Sequence, residues 1–157
     1  MPEPTPLFKK LNYKNHSELV VINAPASFEI ELEKMLPLAN VHRSLEEFEG
    51  TIKFSICFVT DQDQIKTFSA QIIPKLEGDT VFWFAYPKAS SKKYRCNFNR
   101  DKGWDVLGTY GFEGVRQVAI DEDWSALRFR HVDYIKSLTR SEEMMMSGKG
   151  KERLKKG

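Results

Sequence analysis

Two short stretches carry the residue types from which an anion site could be built. The first, "KASSKKYRCNFN" at positions 88–99, sets Ser90 and Ser91 between Lys88 and Lys92, with Arg95 and Arg100 following. Hydroxyls, ammonium groups and free backbone N–H groups together can hold a phosphate or another anion. The plain alternative is a solvated basic connection. The second, "LVVINAPASFE" at positions 19–29, offers Asn23 and Ser27. Asn23 can meet a ligand or cap its own turn. Ser27 can face the same ligand or cap the helix that follows. The ligand-binding candidates are therefore Asn23, Ser27, Lys88, Ser90, Ser91 and Lys92, and no residue stands out as catalytic.

Other reactive types do not form patterns. His16, His42 and His131 are far apart and share no metal-binding spacing. Cys57 and Cys96 are isolated, which fits neither a disulfide framework nor a zinc site and suits a reduced, cytoplasmic setting. "DEDW" at 121–124 clusters Asp121, Glu122 and Asp123, but a turn of this kind is expected to splay its carboxylates into solvent rather than converge them on a metal. Asp61 reads as a helix cap. There is no nucleophile elbow and no phosphate-binding loop of the Walker type. Trp83, Trp104 and Trp124 read as core. No metal is predicted.

The chain has 157 residues, 41% of them hydrophobic and 12% aromatic, which suits one domain with one core. No apolar run approaches the roughly 20 residues that span a bilayer, so no membrane contact is expected. Net charge is +2, but residues 147–157 hold Lys149, Lys151, Arg153, Lys155 and Lys156 against Glu152 alone. The remainder is slightly acidic. Nucleic acid is thus expected only weakly, through the tail.

The pattern of elements places these loops. Leu19–Ala24, Ile52–Thr60 and Thr80–Tyr86 read as buried strands, the last two apolar on both faces, as parallel strands covered from both sides are. Phe28, Leu32, Met35 and Leu36 recur at helical spacing and stop at Pro37. Ile65, Phe68, Ile72 and Leu76 form a second stripe, with "LEGD" (76–79) as the turn after it. Val41–Leu45 suggests a short edge strand. Asp101 can cap a helix carrying Trp104 and Leu107. Val115–Ile120 and Trp124–Val132 are close enough in sequence to pair antiparallel. The segment before Leu7 and the tail from Asp133 read as unpacked, apart from a marginal helix at Asp133–Leu138. The predicted fold is therefore α/β: a doubly wound, mostly parallel sheet with helices on both faces and a C-terminal antiparallel β-hairpin. Residues 1–132 form one domain and 133–157 a basic tail.

This outline resembles a shortened class I S-adenosylmethionine-dependent methyltransferase. More closely, "LVVINAP-SFE", "NRDKGW" (99–104) and "VRQVAIDEDWSALRFR" (115–130) resemble a small bacterial family of unknown function with a methyltransferase-like fold. The resemblance implies the fold and no activity. Methyltransferases of this class hold their cofactor on a glycine-rich turn after the first strand. Here that turn is Asn23-Ala24-Pro25-Ala26-Ser27. Ordinary use of S-adenosylmethionine is therefore not expected, and no other cofactor is predicted. The expectation is a non-enzymatic domain that binds a protein partner or a small anionic ligand. The alternatives are a divergent methyltransferase and a nucleic-acid-associated protein acting through its tail.

Overall fold

The computed structural model describes residues 3–135, except 47, 97 and 99–101. The elements run α1 (Pro6–Lys10), β1 (Glu18–Ile22), α2 (Ala26–Met35), β2 (Asn40–His42), β3 (Ile52–Phe58), α3 (Gln62–Ile72), β4 (Leu76–Pro87), α4 (Asp105–Thr109), β5 (Phe112–Ala119) and β6 (Trp124–His131). The six strands form one sheet in the order β2-β1-β3-β4-β6-β5. The first four neighbours pair in parallel. β6 lies between β4 and β5 and is antiparallel to both.

β3 and β4 are central because neither has a face that water can cover. On one side Phe54, Ile56, Phe58, Trp83 and Ala85 meet Phe28, Leu32 and Met35 of α2. On the other, Cys57, Val59, Phe82, Phe84 and Tyr86 meet Ile65 and Ile72 of α3, and Trp104 and Leu107 at α4. All three tryptophans are buried. α2, α3 and α4 cross over between strands that run the same way and supply cover, to which α1 adds Phe8.

Of the segment expected to be loose, residues 1 and 2 lie outside the described residues, Glu3 and Pro6 are exposed, and Thr5 is buried. Thr5 caps α1, its hydroxyl accepting from the Phe8 N–H at 3.1 Å, with Pro6 in the first turn. Phe8 and Leu11 are wholly buried against the first face of the sheet. The indole N–H of Trp83 donates to the Leu11 carbonyl at 2.8 Å, which pins this segment to the middle of the sheet.

Several boundaries differ from the sequence reading. "LEGD" is no turn: Leu76 already pairs with Ile52, and the register slips before Phe54 meets Val81. Gly78, at φ +72°, takes up the bulge, and a 3-10 turn at Ile73–Lys75 makes the connection. Leu76 thus belongs to β4 and not to the helical stripe. Asp61 does cap α3, accepting from the Gln64 N–H at 2.8 Å, while Gln64 Oε1 accepts from the Thr60 N–H. β2 is shorter than Val41–Leu45. Trp104 stands at the N-cap of α4, before the helix. After β6 the described chain makes a 3-10 turn, Val132–Tyr134, with Val132 buried. The Asp101 cap, and everything assigned to 136–157, lie outside the described residues.

Phe84 is fully buried between Trp104 and Phe129, so Phe84→Ala should lower the unfolding free energy by about 3–5 kcal/mol in urea titrations. On the first face Arg130 grips Asp79 with two hydrogen bonds, which hold the Asp79 carboxyl below its ordinary range. A carboxyl depressed in the folded state stabilises above its unfolded pKa, and that contribution is lost as pH falls through the folded value. Asp79→Asn should therefore flatten the acid limb of stability against pH, read as urea midpoints between neutral and acid pH.

Candidate functional site

In open α/β sheets ligands bind beyond the carboxyl ends of the strands. Three loops meet there, after β1, β3 and β4. Because β6 is antiparallel to its neighbours, β5 runs with β4, and the turn 120–123 reaches the same edge.

That turn is built inward. Asp121 Oδ1 accepts from the N–H groups of Asp123 (2.8 Å) and Trp124 (2.9 Å). The Asp123 carbonyl accepts from the Lys88 N–H at 2.8 Å, and its carboxylate accepts from the Ser91 hydroxyl at 2.8 Å. Ser91 Oγ in turn accepts from the N–H groups of Lys93 and Tyr94. The expectation that "DEDW" splays its carboxylates into solvent is thus corrected for Asp121 and Asp123: backbone N–H groups and Ser91 satisfy them, and they organise the loop after β4. Among the described residues no group of three ligating side chains could hold a metal ion.

This clasp leaves a hollow of about 670 Å³ beyond β4. Half-buried Lys88 and exposed Arg95 supply its charge, and its described lining holds no carboxylate. Tyr86, Tyr94 and Phe98 give it aromatic walls. Gln117 reaches in from β5 and donates to the Tyr86 hydroxyl at 2.9 Å. Ser125, 6% exposed, opens onto the same space, and its hydroxyl makes no hydrogen bond with the described residues.

The four loop candidates do not share this hollow. Lys88 and Ser91 line it, although the Ser91 hydroxyl is already given to Asp123. Ser90 and Lys92 line a neighbouring hollow of about 470 Å³ with Lys93, where Glu122 and Asp123 oppose the lysine charge. The anion pocket expected from Lys88, Ser90, Ser91 and Lys92 is therefore divided, and only the hollow on the Lys88 side has no carboxylate in its described lining.

The loop after β1 is also committed. Asn23 takes a left-handed backbone, φ +63°, which Asn tolerates better than most residues. Its side-chain amide donates to the Phe58 carbonyl at 3.0 Å and bridges the ends of β1 and β3. Ser27 is not the N-cap of α2. Pro25 holds that position and makes no side-chain cap bond. Ser27 Oγ lies 3.4 Å from Asp121 Oδ2. In the first turn of α2, Glu29 is paired bidentately with Arg43, whose hydrogen bonds pull the carboxyl below its ordinary range. Cys57 is sealed in the core, where burial pushes its thiol well up, out of nucleophile range.

Strand order, parallel core and helices on both faces make this a Rossmann-like α/β fold. No family model and no curated protein matches the chain. Among solved structures, a Streptococcus agalactiae protein of the NADB-Rossmann superfamily is similar, at 18% identity over 80% of this chain and 67% of that one, with a TM-score of 0.47.

Tyr86, Gln117 and Ser125 escape sequence reasoning. Each looks like an ordinary strand residue until the insertion of β6 sets Tyr86 opposite Ser125. The alternation that carries Phe82 and Phe84 on one face also carries Tyr86, and that is the one available signal.

Asn23→Ala should cost roughly 2 kcal/mol, through the lost bond to Phe58 and the strained backbone, and Asn23→Gly about half as much. Equal losses in chemical denaturation would show that the left-handed conformation plays no part.

Proposed function

We propose that this chain is a methyltransferase-like binding domain without enzymatic activity, and that its ligand is a small anionic molecule held in the hollow beyond β4. The observation that carries the reading is the pairing of Lys88 and Arg95 over an aromatic, partly buried space with no carboxylate in its described lining. Its volume falls in the range of roughly 300–1,000 Å³ usual for small-molecule sites. Two cations at such a mouth attract an anion and are screened only in part once water is displaced. The Ser125 hydroxyl, which makes no hydrogen bond with the described residues, offers the ligand a polar anchor.

The methyltransferase-like part rests on strand order. A shortened sheet of that class would end in two antiparallel strands with the last one inserted, as β6 is between β4 and β5. S-adenosylmethionine in the usual manner is not part of the proposal. The crevice between β1 and β3 is bridged by Asn23, and Pro25 occupies the turn where close backbone approach would be needed.

The test is a thermal-shift titration with phosphate, sulfate and small aryl phosphates at constant ionic strength. Stabilisation should saturate, reaching about 2.7 kcal/mol for a ligand at 100 times its dissociation constant. Lys88→Ala combined with Arg95→Ala should abolish it without changing the midpoint in ligand-free buffer. Equal protection of parent and variant would point to salt exclusion from the surface and against this site.

A further inference from the structure

A hollow of opposite character lies at the other end of the sheet, where β4 and β5 begin and β6 ends. It measures about 370 Å³. Four rings, Tyr110, Phe112, His131 and Tyr134, line it together with Ile73, Leu76 and Gly78. Asp133 is the acidic residue of its described lining, which contains no lysine or arginine.

The local sequence explains how the rings converge. "YGF" at 110–112 closes α4 and opens β5, with Gly111 at φ +84°. A Cβ on Gly111 would stand 2.9 Å from His131 Nε2, so only glycine lets the imidazole lie against this turn. The Val132 N–H donates to the Gly111 carbonyl at 2.9 Å and locks the two segments together. Phe112 and His131 then stand at 89° with centroids 5.4 Å apart, and His131 and Tyr134 at 69° and 6.3 Å. Rings set near right angles make the corners of a box, not a stack. Tyr110 and Tyr134 stay 40% and 39% exposed, although most of the chain's aromatic side chains are covered.

His131 Nδ1 lies 3.2 Å from the Asp133 backbone nitrogen and 3.3 Å from Asp133 Oδ2. The imidazole ring therefore stands as a wall in contact with the Asp133 carboxylate.

We infer that this hollow is an aromatic cage for a methylated ammonium group. Ring faces attract a cation through their quadrupoles, and a carboxylate at the mouth adds to that field. A methylated ammonium spreads its charge over its methyl groups, and in the fully methylated form it has no N–H donors to satisfy. A cage of rings with one carboxylate suits it better than it suits a bare ammonium, which would lose hydrogen bonds to water. The inference is independent of the anion reading above, which concerns the opposite edge of the sheet.

The experiment is calorimetric titration of the full chain with choline, with free trimethyl-lysine, and with 3,3-dimethylbutanol, a neutral isostere of choline. Saturable binding of at least one cation is expected, with the isostere weaker by about tenfold or more. Tyr134→Phe should keep the affinity, and Tyr134→Leu should lose about tenfold while the ligand-free thermal midpoint stays unchanged. Tighter choline would assign the site to a free metabolite, and tighter trimethyl-lysine to a modified lysine side chain. Either result supports the cage. Equal affinity for the isostere, unchanged binding by Tyr134→Leu, or no saturation with either cation would overturn it.

Discussion

The structure depends on one constraint: β3 and β4 have no face that can be left in water. Phe54, Ile56 and Phe58 point one way and Ser55, Cys57 and Val59 the other, and β4 repeats the pattern with Val81, Trp83 and Ala85 against Phe82, Phe84 and Tyr86. Two layers of cover are then obligatory. α1 and α2 provide one, and α3 and α4 the other. Strands connected through such helices run parallel, so the loops that follow β1, β3 and β4 gather at one edge.

The site follows from what happens next in the chain. β6 inserts antiparallel between β4 and β5, which turns the tip 120–123 back to that edge. Asp123 then fastens the loop after β4 through Lys88 and Ser91. Polar groups that look available in the sequence are used up in this fastening. What remains open is a space bordered by Lys88, Arg95 and the end of β4. Near β1 the same economy holds, with Asn23 committed to Phe58. The loops nearest the usual cofactor crevice are self-satisfied, and the unsatisfied chemistry lies one strand further along.

Much of the fold was legible in local pattern. Two-faced strands announce parallel neighbours, Pro37 ends α2, and Asp61 caps α3 as its position before an apolar stripe suggests. The first helix was not legible, because five residues with a single buried side chain, Phe8, carry too little periodicity. Its burial is decided by long-range contacts such as Leu11 with Trp83, which no window of sequence contains. The candidate site was legible in part. Lys88 and Ser91 were in the right loop, but the separation of Ser90 and Lys92 from them depends on where Glu122 and Asp123 fall, and that is set by strand pairing. Ser27 failed as a cap because Pro25 begins the helix earlier.

We propose that the ligand binds beyond β4 and not at the crevice between β1 and β3. Backbone amide chemical shifts, followed by NMR while phenyl phosphate is titrated into the isotope-labelled chain, test it most directly. Saturable shifts are expected at Tyr86, Lys88, Tyr94 to Cys96, Phe98, Gln117 and Ser125, with Asn23, Ala24, Ala26, Ser27 and Thr60 to Gln64 still. Shifts concentrated instead on the Asn23–Ser27 and Thr60–Gln64 loops would contradict it and restore the crevice as the binding site.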